Sequence, residues 1–157
     1  MKPSFKYRWM LWSFGRFNVP MIGHVKPKLL KLTDEQIMIK IPLLKRNKNH
    51  LHSMYFGSLA IGADIAAGFH GLYHAKKSGL NVSLAFKSME GNFLSRPEAD
   101  VYFISDMGKE VKAMLADSKA EQKRINRPID VKAFINYPSE PKEVANFKLE
   151  LSLKVMA

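Results

Sequence analysis

The chain of 157 residues contains no cysteine. That absence excludes a disulfide framework, a thiolate zinc site, an iron–sulfur cluster and a cysteine nucleophile. Carboxylates are scarce: 14 Asp and Glu stand against 25 Lys and Arg, for a formal net charge of +11. Such a surplus favours anionic partners, namely nucleic acid, a membrane surface, a phosphorylated cofactor or an acidic carrier protein, and equally suits a plain solvated surface. Nucleic-acid binding has only this charge behind it and no recognised motif, so no nucleic-acid partner is expected. No run of 18 apolar residues occurs, so no spanning helix is expected either. Gly-rich dinucleotide loops and a Walker A sequence are missing. Ser53 and Ser58 lack a Gly-x-Ser-x-Gly elbow, which speaks against a serine-hydrolase triad.

What is present is globular: 46% hydrophobic and 25% charged residues, in a length suited to one domain. The chain opens with a basic stretch, Met1–Arg8, and a short apolar one, Trp9–Phe14, closed by Arg16. A secretory signal needs a longer apolar stretch and a small-residue cleavage site, so a retained segment and a cytoplasmic location are expected. Residues 1–20 read as an amphipathic helix ended by Pro20 and Gly23. Phe5, Trp9 and Trp12 share one of its faces, which is expected to pack on the body of the domain; contact with a membrane surface is the alternative.

Residues 21–157 read as a single domain. Strand patterns cover 28–33 and 37–41, where Ile37, Ile39 and Ile41 alternate with Met38 and Lys40. Further alternation marks 80–86, 99–105, 129–135 and 144–155, with a helical pattern at 109–124. Between the second and third strands lies a different kind of segment. Residues 54–73 are apolar or small nearly all the way round, which is the pattern of a buried helix, and a central helix is expected over about 53–77. Its Gly and Ala residues let neighbouring backbone approach closely. A helix this long and apolar calls for a strongly curved antiparallel sheet of about six strands wrapped around it. The expected class is α+β with the hot-dog architecture, extended by the first helix.

Asp64 stands in the middle of the apolar helix. A carboxylate there is paired, hydrogen-bonded or protonated. A structural Asp bound to backbone or Lys and a functional Asp are both compatible with that placement. The segment Asn49-His50-Leu51-His52-Ser53-Met54-Tyr55-Phe56-Gly57 leads into the helix, whose first N–H groups lack intrahelical acceptors and carry partial positive charge. An oxyanion or thioester carbonyl suits that position, and Asn49 could orient a water or a carbonyl. Capping by Ser53 and packing of Tyr55 are the plainer alternatives. His50 and His52 are candidate acid–base groups or simply loop histidines. Lys45, Arg46 and Lys48 could hold phosphates or form a solvated basic loop. His70 and His74 have the spacing of a ligand pair, but no third ligand is evident and no metal site is expected.

The stretch from Asn49 to Ala63-Asp64 resembles the signature of the PaaI-type thioesterases of the hot-dog superfamily, which place an Asn, then His-Gly-Gly, then an Ala-Asp pair on the central helix. Tyr55-Phe56-Gly57 stands at the His-Gly-Gly position. Pro42 to His50 is also similar to an uncharacterised hot-dog family of thioesterase-like proteins that runs Pro-Leu-basic-Arg-Asn-basic-Asn-His into Phe-Gly-Gly. Phe56-Gly57-Ser58 departs from that only at Ser58. The resemblance implies hydrolysis of an acyl thioester such as acyl-CoA, with Asp64 as general base or nucleophile. It implies an oxyanion role for the N–H of Phe56, beside Gly57, a polar role for Asn49, and substrate contacts from Tyr55, His50, His52, Lys45, Arg46 and Lys48. Coenzyme A enters as part of the substrate, and no cofactor is expected. Tyr55 removes the polar partner that His supplies, which leaves a non-catalytic acyl-CoA or fatty-acyl binding protein as the alternative. The resemblance also implies a homodimer, which could pair into a tetramer, with the Asn and helix start of one chain facing the Asp of the other. One sheet cannot cover every face of so apolar a helix, which supports the same assembly.

Overall fold

The computed structural model describes residues 2–157. It opens with helix α1 (Phe5–Ser13), a π turn (Phe14–Asn18) and a short helix α2 (Pro20–His24). Strands β1 (Lys28–Leu32) and β2 (Ile37–Ile41) follow, then a 3-10 turn (Lys45–Asn47) and the long helix α3 (Phe56–Lys77). The remainder is β3 (Val82–Phe93), β4 (Val101–Ser105), helix α4 (Gly108–Glu121), β5 (Ile125–Ile135) and β6 (Lys142–Val155). Six strands form one curved sheet in the order β1-β2-β4-β5-β6-β3, every neighbouring pair antiparallel. Register shifts at Leu29/Lys31, Phe86/Ser88 and Ala133/Phe134 put irregularities into three strands. Such bulges increase local bend and twist, which a sheet needs to wrap a helix.

Alternation explains which face turns inward. In β5, Ile129, Val131, Ala133 and Ile135 are buried while Asp130 and Lys132 are exposed. Phe147, Leu149, Leu151 and Leu153 do the same in β6. The inward side chains close on α3, whose Leu59, Ala63, Ile65, Ala66, Ala67 and Phe69 belong to the same core. Gly62 allows the closest approach. A Cβ there would lie within 2.6 Å of three ring atoms of Phe103, a fully buried residue of β4.

The second half of α3 is fastened to the β1–β2 turn. Tyr73 Oη donates to Asp34 at 2.7 Å, and Lys77 Nζ donates to both oxygens of Asp34 at 2.6 and 2.8 Å. The Lys77 ammonium and Tyr73 hydroxyl hold the Asp34 carboxyl down at about 2. His70 donates from Nε2 to the Thr33 carbonyl at 3.1 Å and stacks on His74 at 5.6 Å. Both rings are buried, and burial pushes both imidazoles down, His70 to about 4. The His pair is thus part of this fastening. Among the described residues no cluster of three or more His, Asp or Glu is disposed to hold a metal ion.

The first helix differs from the sequence expectation. It does not run on to Pro20: α1 gives way to the π turn, the chain breaks at Val19, and Pro20 starts α2. Proline at the first position of a helix is favoured, because its missing N–H would have no acceptor there. α1 does pack on the domain, but not by the expected face. Leu11 is buried, with Tyr7, Met10 and Phe14 packed around it. Phe5, Trp9 and Trp12 point outward, 80%, 56% and 58% exposed. No helix among the described residues is long and apolar enough to cross a membrane.

Candidate active site

The approach to α3 is a built loop. Asn47, buried in the 3-10 turn, donates from Nδ2 to the Pro42 carbonyl at 2.9 Å and accepts the Leu44 N–H at 2.8 Å. Its own carbonyl accepts the N–H of Tyr55 at 2.9 Å. Met54 N–H is held by the carbonyl of Pro97 at 2.8 Å. These bonds fix the direction in which the chain enters the helix. Nothing local in the sequence distinguishes Asn47 from the exposed Asn of a turn.

Asn49 closes the next stretch on itself. Its Oδ1 accepts from Leu51 N at 2.9 Å and from Ser53 N and Oγ at 3.2 Å each. Ser53 is fully buried, and its hydroxyl serves Asn49 rather than capping the helix. The helix starts later, at Phe56, with Tyr55 as a cap residue that makes no side-chain cap bond. Ser58 and Leu59 donate their N–H groups to the Tyr55 carbonyl. The N–H groups of Phe56 and Gly57 have no acceptor among the described residues. Asn49 Nδ2 is likewise without a hydrogen-bond partner there. His50 and His52 lie on the exposed rim of the loop, and His52 adopts a left-handed backbone with φ of 60°. Lys45, Arg46 and Lys48 are exposed on the same approach, with Arg46 reaching the carbonyl of His24 at 3.4 Å.

Asp64 lies further along. Gly57, Ala60, Ile61, Asp64, Gly68 and Leu72 are the half-buried residues of α3; each has another of them three or four residues away, so they form one stripe. This is the face that the sheet and α4 leave partly open. No ion pair or hydrogen bond to Asp64 forms among the described residues, and burial alone pushes its carboxyl up. Among the described residues, neither a Lys nor a backbone group satisfies it. A carboxylate in that state is poised to bind a proton.

One chain brings Tyr55, Phe56 and Gly57 together at the helix start, with Asn49 in the loop that leads into it, but not Asp64. Phe56 and Asp64 are eight residues apart on one helix, about 12 Å along its axis. Groups acting on one carbonyl sit roughly 3 Å from it. The structure also adds an apolar wall that the sequence did not reveal. Phe56 meets Tyr55 at 4.7 Å and Phe93 at 6.3 Å between ring centroids, and Phe93 meets Phe147 at 5.9 Å. Tyr55, Phe56, Phe93 and Leu94 are each about half exposed. Phe93 was missed because β3 runs well past the expected end at residue 86, and its outer part, Lys87–Phe93, is exposed and does not alternate.

No family model matches the chain, and no curated protein does. Solved structures do match. A suggested thioesterase from Shewanella oneidensis superposes with a TM-score of 0.80 at 13% identity, covering 96% of this chain and 99% of that one. A Pseudomonas aeruginosa protein of unknown function, also described as a probable thioesterase, gives 0.74 at 15% identity over 99% of both chains. A thioesterase from Haemophilus influenzae gives 0.65 at 14% identity, covering 98% and 94%. At such identities the likeness is one of fold. What they share with this chain is the hot-dog-like architecture, a six-stranded curved sheet around one long helix.

Proposed function

We propose that this protein hydrolyses acyl thioesters, with acyl-CoA as the substrate class and a homodimer as the working unit in the cytoplasm. The observation that carries the reading is Asp64: a half-buried carboxylate, without a partner among the described residues, on the open stripe of an apolar helix. In the proposed reaction Asp64 takes a proton from water as the water attacks the thioester carbon. The N–H groups of Phe56 and Gly57 receive the developing oxyanion. The C–S bond then breaks, the carboxylic acid forms, and the proton held by Asp64 passes to the departing thiolate. Asn49 orients the water or the carbonyl through its free amide. Direct attack by Asp64 through an acyl anhydride is the second route open to the same residue.

The spacing along α3 motivates the dimer. A carbonyl seated at one helix start is out of reach of Asp64 in that chain, so the Asp64 of a second copy completes the site. A two-fold axis gives two equivalent sites and covers the open stripe with one self-complementary surface. The edge of β3 supports the same arrangement, since its free side has no strand partner among the described residues. Such dimers could pair further into tetramers. Lys45, Arg46 and Lys48 would take the phosphates of coenzyme A at the surface. Tyr55, Phe56 and Phe93 would line the acyl or pantetheine path, with His50 and His52 at its rim.

A second reading rests on Tyr55. An exposed phenol ring adjoins Phe56 where the resembled enzymes carry His, and the wall beside the helix start is aromatic rather than polar. A non-catalytic acyl-CoA or fatty-acyl binding protein would have this character. Hydrolysis of short, medium, long and aromatic acyl-CoAs by folded protein separates the two. Turnover that is lost in Asp64→Asn supports the enzyme. Tight binding of a non-hydrolysable acyl-CoA without turnover, unchanged in Asp64→Ala, supports the binding protein.

A further inference from the structure

The exposed aromatic face of the first helix is unexplained by the thioester reading and independent of it. Phe5, Trp9 and Trp12 recur at helical spacing along α1. Phe17, 69% exposed, meets Trp12 edge-on at 6.0 Å, which carries the patch from α1 onto the π turn. Val19 and Met21 are exposed just beyond. The backbone here is held rigidly: a Cβ on Gly15 would lie 2.9 Å from the nitrogen of Gly23, so α2 folds directly back on the π turn.

Charge accompanies these apolar groups. Residues 1–33 contain seven Lys and Arg and no Asp or Glu, so most of the chain's positive surplus is concentrated there. Lys2, Lys6, Arg8, Arg16 and Lys26 are all exposed, and none forms a salt bridge among the described residues. Between α1, α2 and the start of β1 lies a cleft of about 780 Å³, lined by Lys2, Arg8, Arg16, Lys26 and Lys28. Leu11 and Trp12 form part of its apolar wall. Unpaired cations around a half-apolar cleft, flanked by exposed aromatic rings, match an anionic headgroup joined to acyl chains. Nucleic acid or an acidic protein would satisfy the cations but leave Phe5, Phe17, Val19 and Met21 in water.

We propose that this face docks the protein on a bilayer containing anionic lipid. The cations sit among the headgroups, one lipid phosphate enters the cleft, and the aromatic side chains settle at the interface, where Trp is favoured. Trp9 and Trp12 are the only tryptophans in the chain, so intrinsic fluorescence reports on this face alone. Vesicles of equal parts phosphatidylcholine and phosphatidylglycerol should pellet the protein at low salt and shift its emission to the blue. Pure phosphatidylcholine vesicles should do neither. Each cation removed should weaken binding roughly five-fold. Arg8→Ala with Arg16→Ala should therefore weaken it about 25-fold, and Phe5→Ala with Phe17→Ala should reduce it without changing the thermal midpoint. Four outcomes overturn the proposal: no binding to the anionic vesicles; equal binding to neutral ones; an emission shift driven by protein concentration alone, which would make a second copy the occupant; or a shift with single-stranded DNA and none with vesicles.

Discussion

Gly62→Ala tests the packing that places Asp64. The added Cβ would lie within 2.6 Å of the Cζ, Cε2 and Cε1 atoms of Phe103. Ordinary carbon contacts begin near 3.5 Å, so either the ring or the helix must move by roughly 1 Å. Phe103 is fully buried on β4, which is hydrogen-bonded to β2 on one side and β5 on the other, so the ring has little freedom. Overpacking of this kind costs about 1–3 kcal/mol, and the rigid neighbour places this case at the upper end. Replacing Gly by Ala inside a helix returns about 1 kcal/mol. The net loss is about 2 kcal/mol, or roughly 4–8 °C in Tm for a chain of this size. Phe103→Leu removes the obstructing ring atoms, so Gly62→Ala should cost much less on that background, a favourable coupling readable in a double-mutant cycle. Thermal and urea denaturation of the four proteins measure both quantities. A Gly62→Ala protein as stable as the parent, or a cycle without coupling, would refute this account of the α3–β4 contact.

Three further outcomes follow from the same geometry. His70 is held neutral in the fold to about 4, below its ordinary value near 6.5, so the unfolded chain binds its proton first as pH falls. Stability is full above pH 6.5 and should drop by about 3 kcal/mol by pH 4. Asp34, held at about 2, adds a further loss below its ordinary range near 3.8. His74 adds to this window and Asp64 opposes it, so His70→Gln should make the fall between pH 7 and pH 4.5 shallower than in the parent and leave the lower window, and a variant that loses stability there as steeply as the parent would contradict this. Asn49→Ala strands the buried N–H and hydroxyl of Ser53 and should cost about 1–3 kcal/mol. Asn49→Asp keeps the acceptor, so it should stay folded yet lose turnover, which a stability curve and an acyl-CoA assay together check. Asp64 has a raised carboxyl, so its ionisation penalises the fold as pH climbs above the ordinary carboxylate range. Asp64→Asn should therefore be more stable than the parent at neutral pH, with the gap closing in acid. Denaturation showing the variant less stable at pH 7 would oppose that.

The order of elements was legible because alternation of period two and the all-round apolar helix are strong local signals. The first helix shows where local signals stop. Periodicity groups Phe5, Trp9 and Trp12 on one face, but it does not say which face turns inward. Leu11, Met10 and Tyr7 won that competition through their fit to the core. The outer part of β3 was invisible for a related reason. Its order comes from pairing with β6, from Ser88 opposite Glu150 to Phe93 opposite Ala145, and not from its own pattern. At the site, the position of Asp64 and the approach from Asn49 could be read from spacing. The bonds of Asn47 and the aromatic wall through Phe93 could not, since they depend on residues distant in the chain.

If Asp64 drives thioester hydrolysis across a two-fold interface, as proposed, lesions in opposite halves of the site must complement one another in mixed dimers. Mixing two folded, inactive proteins, Asn49→Asp and Asp64→Asn, reads this out. Each variant alone carries one lesion in every site of its homodimer. In a heterodimer the two lesions meet at one site and leave the other intact. The account predicts that each variant alone is nearly inactive against an acyl-CoA hydrolysed by the parent. It also predicts that an equal mixture, after subunit exchange, recovers up to about a quarter of the parent rate, since half the dimers are mixed and each mixed dimer carries one whole site. A mixture that exchanges subunits and stays inactive would contradict the shared site. An Asp64→Asn protein that turns over like the parent would contradict the role of the carboxylate.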